Sequence, residues 1–155
     1  MKIIISTLTL FFIFLTAANA QVSYVENSKY FTQNYQLYDG VYTEYYDNGN
    51  KRVELNLVKG VLDGISTLYF DNGKISEIRS YKTGAMDGTW ETYNQEGVKT
   101  GLASYKNNLK HGEWKIWTDK GVLRVEMHYT DGRKTGIWKT YNEDGIPVSE
   151  KNFGE

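Results

Sequence analysis

Apolar and aromatic positions along this chain fall into a fixed 24-residue cycle. Each cycle starts at a glycine, at Gly40, Gly64, Gly88, Gly112 and Gly136, and a second glycine follows in step at Gly49, Gly73, Gly97, Gly121 and Gly145. Two residues after the leading glycine stand Tyr42, Ser66, Trp90, Trp114 and Trp138; five after it, Tyr45, Tyr69, Tyr93, Trp117 and Tyr141; seventeen after it, Leu57, Tyr81, Tyr105, Tyr129 and Phe153. Thirteen of these fifteen positions are aromatic, so neighbouring copies are expected to bind one another through ladders of flat side chains.

Turn signals separate the columns. Asp47-Asn48-Gly49 and Asp71-Asn72-Gly73 carry the residues that tolerate the positive φ of a tight reversal, and Gln95 to Gly97, Asp119 to Gly121 and Glu143 to Gly145 occupy the same slot. A second reversal is expected at Gly60, Gly84 and Gly132, with Asn108 in that place in the third copy. Between the reversals the polarity alternates with period two. Leu123, Val125, Met127 and Tyr129 are predicted to share one face, and Arg124, Glu126, His128 and Thr130 the other; Val53, Leu55 and Leu57 likewise oppose Arg52, Glu54 and Asn56. Each copy therefore reads as a β-hairpin, and five copies as about ten antiparallel strands.

The fold class this predicts is all-β: an elongated, twisted, single antiparallel sheet of about five tandem 24-residue hairpins. The copies cover residues 40–63, 64–87, 88–111, 112–135 and 136–155. Parity leaves one choice open. The columns two and five residues after the glycine differ by an odd number, so strict alternation sends them to opposite faces, whereas a bulge between them brings both to one face. Residues 21–39 are aromatic (Tyr24, Tyr30, Phe31, Tyr35, Tyr38) but lack the glycines, and are expected to cap the first edge of the sheet.

Residues 1–20 break the polarity pattern altogether. Lys2, the apolar run from Ile3 to Leu15 and Ala18-Asn19-Ala20 read as a secretory leader cleaved before Gln21, since the run is too short to span a bilayer. A secreted or periplasmic chain is expected, with no membrane insertion after cleavage. The whole sequence holds 18 basic and 19 acidic residues, net −1, and loss of Lys2 makes it −2. With no basic patch, nucleic acid is not an expected partner. Without cysteine, disulfides play no part in stability.

Sites for chemistry are scarce. His111 and His128 stand in different copies without cysteine partners, so neither a metal nor a cofactor is expected. Acidic pairs such as Glu143 with Asp144, or Asp47 with Glu44, fit solvated turns, and no nucleophile or phosphate-loop motif occurs. The expectation is a protein without catalytic activity.

The repeat resembles the MORN-repeat family, in particular its bacterial YwqK-like variant of antitoxin type. Gly88-Thr89-Trp90-Glu91-Thr92-Tyr93, Gly112-Glu113-Trp114-Lys115-Ile116-Trp117 and Gly136-Ile137-Trp138-Lys139-Thr140-Tyr141 carry the likeness, which extends from Gly40 to about Phe153. Ser66, Asn108 and Gly101 depart from the pattern. The resemblance implies a scaffold or protein-contact surface. The expected function is an exported interaction scaffold for another protein. The candidate surface is Trp90, Trp114 and Trp138 on the ladder with Arg124, Glu126 and His128 on the polar strand face. Two alternatives stand beside it: a cell-wall or glycan binder using the aromatic ladder, and the antitoxin component of a toxin-antitoxin pair.

Overall fold

The computed structural model describes residues 21–154, and the leader expected over residues 1–20 lies outside the described residues. The N-terminal segment forms β1 (Val22–Glu26) and β2 (Lys29–Thr32). The first copy supplies β3 (Gly40–Tyr45) and β4 (Lys51–Val58); the second, β6 (Gly64–Tyr69) and β7 (Ile75–Lys82), after the short β5 (Val61–Leu62). Then follow β8 (Ala85–Tyr93), β9 (Lys99–Lys106), the short β10 (Leu109–Lys110), β11 (Gly112–Trp117), β12 (Leu123–Thr130), β13 (Arg133–Tyr141) and β14 (Pro147–Asn152). Ten of these strands run side by side in chain order from β3 to β14, with β5 and β10 bonded onto β4 and β9. All pairings are antiparallel, as a string of hairpins requires. Among the described residues no helix is long and apolar enough to cross a membrane.

Both reversals follow the sequence, with one refinement each. At the second reversal two consecutive residues have positive φ, Lys59 (49°) with Gly60 (75°), Thr83 (50°) with Gly84 (81°), Asn107 (49°) with Asn108 (66°) and Asp131 (47°) with Gly132 (83°). That is the primed turn whose twist matches the strands it joins. Asp39, Asp63 and Asp87 hold these turns by accepting from the N–H groups of Lys59, Thr83 and Asn107 at 2.7, 3.2 and 3.2 Å. At the first reversal, copies one and two use Asn48 and Asn72 to accept from the N–H groups of Asn50 and Lys74. Copies three to five have no asparagine there, and Asn94, Thr118 and Asn142, further upstream, close the turn instead.

The parity question has a definite answer. A bulge recurs in every copy, but on the returning strand: Arg52, Ser76, Thr100, Arg124 and Val148 are each skipped in the pairing. From the second to the fifth residue after the glycine the outgoing strands pair residue by residue with the returning strand of their own hairpin, so these two columns face opposite ways. The bulge also corrects the alternation expected in the fourth copy. Val125, Met127 and Tyr129 keep one face, whereas Leu123 stands opposite Trp117 on the other.

One sheet with two wet faces has little interior. Among the described residues the buried apolar side chains are Leu55, Leu57 and Tyr129, and Leu55 and Leu57 lie in the first copy. The N-terminal hairpin lies against this same copy. It forms its own two-stranded sheet and does not pair with β3. It docks instead at the Gly60 turn, where Tyr30 N–H donates to the Gly60 carbonyl at 2.8 Å and Gly60 N–H to the Tyr38 carbonyl at 2.7 Å. A Cβ at Gly60 would lie 2.8 Å from both the Tyr30 carbonyl oxygen and Leu37 Cδ2, so only glycine admits the hairpin.

Candidate functional site

The two faces of the sheet differ in how their rings are spaced. On one face the aromatic two residues after the glycine and the aromatic seventeen after it stand on adjacent strands, about 4.8 Å apart. Their rings meet in an unbroken series. Centroids are 5.5 Å apart for Tyr81 and Trp90, then 5.1 Å to Tyr105, 5.2 Å to Trp114, 5.5 Å to Tyr129, 5.2 Å to Trp138 and 4.7 Å to Phe153. Planes are tilted by 53–65°, near the edge-to-face arrangement that ring quadrupoles favour.

Within this ladder Trp90, Trp114 and Trp138 are half-buried, and each indole N–H donates to a carbonyl of the preceding copy, Ser80, Ser104 and His128, at 3.1, 3.0 and 3.1 Å. Their ring faces are also covered. The Arg79 guanidinium carbon lies 5.0 Å from the Trp90 ring, Lys110 Nζ 4.2 Å from Trp114, and Lys134 Nζ 4.5 Å from Trp138. Each such cation adds about 0.5–1 kcal/mol at an exposed site. The tryptophans therefore join copy to copy, and their outer faces already hold the protein's own cations.

The ladder has one interruption, at Leu57 and Ser66. Ser66 is 1 % exposed and its hydroxyl has no partner, although it stands where the other copies carry a large ring. Beside the interruption a ring from outside the repeat approaches: Tyr30 of the N-terminal hairpin lies 6.2 Å from the Tyr42 ring, and burial together with the nearby Glu44 and Tyr81 raises the pKa of its phenol.

The opposite face carries Tyr45, Tyr69, Tyr93, Trp117 and Tyr141. The returning strands put no aromatic between them on this face, so they recur only every second strand, about 9.6 Å apart. Among the described residues no ring contact joins them to one another. Ion pairs fill the intervals. Glu91 accepts from Lys99 Nζ at 2.7 Å and from the Tyr93 hydroxyl, while Glu126 accepts from the Tyr141 hydroxyl and lies 3.5 Å from Lys115 Nζ. Lys139 meets Glu150 at 3.2 Å. Burial and the bond to Glu91 push Tyr93 up to about 12; the bond to Glu126, chiefly, does the same for Tyr141. The Tyr141 hydroxyl in turn holds the Glu126 carboxyl below its usual range.

The six residues singled out in the sequence thus divide. The three tryptophans belong to the ladder face. Glu126 lies on the tyrosine face, exposed His128 shares it by strand parity, and Arg124 sits in the bulge with Nε donating to the Tyr141 carbonyl at 2.9 Å. Sequence reasoning missed Tyr45, Tyr69, Tyr93, Trp117 and Tyr141 as surface residues. Their column was plain, but its face was not. Among the described residues no cluster of His, Asp and Glu is placed to hold a metal ion.

Comparison with known families agrees with the period. A model described as a MORN repeat variant matches residues 38–59, 62–83, 86–107, 110–131 and 134–154. No curated protein matches the chain.

Proposed function

Since this chain belongs to the MORN repeat variant family, we propose that it is an exported, non-enzymatic module that binds another protein along the tyrosine face of its sheet. The observation that carries this reading is the column of five aromatic side chains that, among the described residues, make no ring contact with one another. Tyrosine and tryptophan combine a large apolar face with a polar tip and are enriched where proteins meet. Here Tyr45 is 60 % exposed, and lysine and glutamate alternate beside the column. A partner that fits is a folded protein with a long, mixed-charge surface and aliphatic side chains between its charges. The likeness of the Trp90, Trp114 and Trp138 segments to the bacterial YwqK-like variant belongs to the same reading. Export rests on Lys2, the apolar run and Ala18-Asn19-Ala20.

The test is a binding titration with a partner purified from the cell envelope. Tyr45→Ala and Trp117→Ala should each weaken binding about tenfold or more, the scale of an interface anchor, with the far-UV spectrum unchanged. Lys134→Ala, on the ladder face, should leave affinity intact. Equal affinity for all four proteins would remove the tyrosine face from the reading.

A further inference from the structure

Among the described residues both ends of the main sheet are unpaired, and the two ends match. β3 is bonded to β4 on one side only. Along its other side runs an open notch of about 620 Å³, lined by Tyr38, Val41, Tyr42, Thr43 and Tyr45, with Gln21 beside them. These side chains come from both faces of β3 and none comes from β4, which puts the notch on the outer edge. At the far end β14 is bonded to β13 alone, is exposed along its whole length, and is followed by Phe153, the last ring of the ladder.

Inside the chain the same two kinds of edge already meet at every junction between copies. The residue thirteen after the glycine pairs with the residue four into the next copy: Val53 with Leu68, Glu77 with Thr92, Gly101 with Ile116 and Val125 with Thr140. Its successor pairs one residue earlier: Glu54 with Thr67, Ile78 with Glu91, Leu102 with Lys115 and Glu126 with Lys139. The ring at seventeen then meets the ring at two, as in Tyr105 with Trp114 at 5.2 Å.

The geometry points to head-to-tail self-association, in which β14 of one copy pairs with β3 of a second in this same register. Ser149 then stands opposite Glu44, and Glu150 opposite Thr43. Phe153 takes beside Tyr42 the place that Tyr105 takes beside Trp114. Lys151 comes over Tyr42 and next to Glu44, an opposite charge, as Arg79 comes over Trp90. Two features of the edges are compatible with this register. Pro147, which lacks an N–H, lies outside the paired positions. The Tyr38 hydroxyl donates to the Val41 carbonyl at 3.0 Å, at a position that the internal strand pairings between copies do not use. The contact is heterologous and leaves the second copy's own β14 free, so association yields open chains rather than a closed dimer.

Because the sequence has no cysteine, introduced thiols report the register directly. Full chains carrying Glu44→Cys and Ser149→Cys, mixed under mild oxidation, should give a cross-linked pair. Either variant alone should not, and the doubly substituted chain should give a series of multimers. The average mass of the unsubstituted chain in sedimentation should rise with concentration, and Trp117→Ala, on the tyrosine face away from both edges, should leave that rise unchanged. A monomer at every concentration with no cross-link in the mixture would overturn the proposal. So would single variants that cross-link as readily as the mixture. Neither outcome bears on partner binding by the tyrosine face.

Discussion

The ladder face and the tyrosine face belong to one sheet, yet on one the rings meet and on the other they stand apart. The difference is a matter of spacing. On the ladder face, from Tyr81 to Phe153, each strand contributes a ring, and centroids 4.7–5.5 Å apart leave no room for a guest. On the tyrosine face a ring stands on every second strand, and ion pairs between them keep the column separated. In a sheet one layer thick, this choice decides which rings hold the fold together and which meet solvent.

Removing a ring from each face is the strongest test of that contrast. Trp114→Ala opens the ladder on both sides and takes from Lys110 the nearer of its two rings; a loss of about 3 kcal/mol in denaturant unfolding is expected, the low end for a large aromatic because the side chain is only half-buried. Trp117→Ala, three residues on and facing the other way, should cost about 1 kcal/mol or less. Equal losses would erase the distinction between the faces.

The interruption at Ser66 sharpens it further. If Tyr30 fills the space, Ser66→Trp should not repair the ladder but should collide with the hairpin, lowering stability by about 1–3 kcal/mol. In a Tyr30→Ala background the same substitution should cost much less or stabilise. A double-mutant cycle measures the coupling, and simple additivity would show that the two side chains do not compete.

On the tyrosine face the polar contacts should matter less for stability. Glu126→Gln weakens the bonds from Tyr141 and Lys115 at a half-buried site, so about 1 kcal/mol or less is expected at neutral pH. The sign with pH follows from the shifts. Glu91 and Glu126 are held below the usual carboxylate range, so their contribution is present above about pH 4.3 and fades as pH falls through their folded values. For Glu91, burial works against ionisation, and the bonds from Lys99 and Tyr93 outweigh it.

The smallest effect is spectroscopic. Tyr42, Tyr93 and Tyr141 are each pushed up to about 12, so their contribution is present below about pH 10 and is lost as pH rises through about 12. An absorbance titration should show a distinct late group of phenols. In the Glu126→Gln chain one member, Tyr141, should return towards the ordinary range; an unchanged profile would mean that the bond to Glu126 does not hold the proton.

Much of this molecule was legible residue by residue. Gly40 to Gly136, the Asn-Gly turns and the alternation of Val125, Met127 and Tyr129 established the hairpin unit and its register, because these depend on local φ preferences and on a period of two. The faces were less legible, since the bulge at Arg124 and its counterparts arises from hydrogen bonding between strands. No residue type marks it: Arg, Ser, Thr and Val all occupy the place. Ser66 stood out as a departure from its column, but that it is 1 % exposed was not legible there.

By itself, then, the sequence determined a string of antiparallel hairpins with three columns of rings, because repetition at a fixed interval can close only against copies of itself. The tertiary structure alone decided which columns meet ring to ring and which stands apart, and that the N-terminal hairpin docks at the Gly60 turn. Both depend on which strands become neighbours in space, and adjacency across a sheet is not written in any single segment.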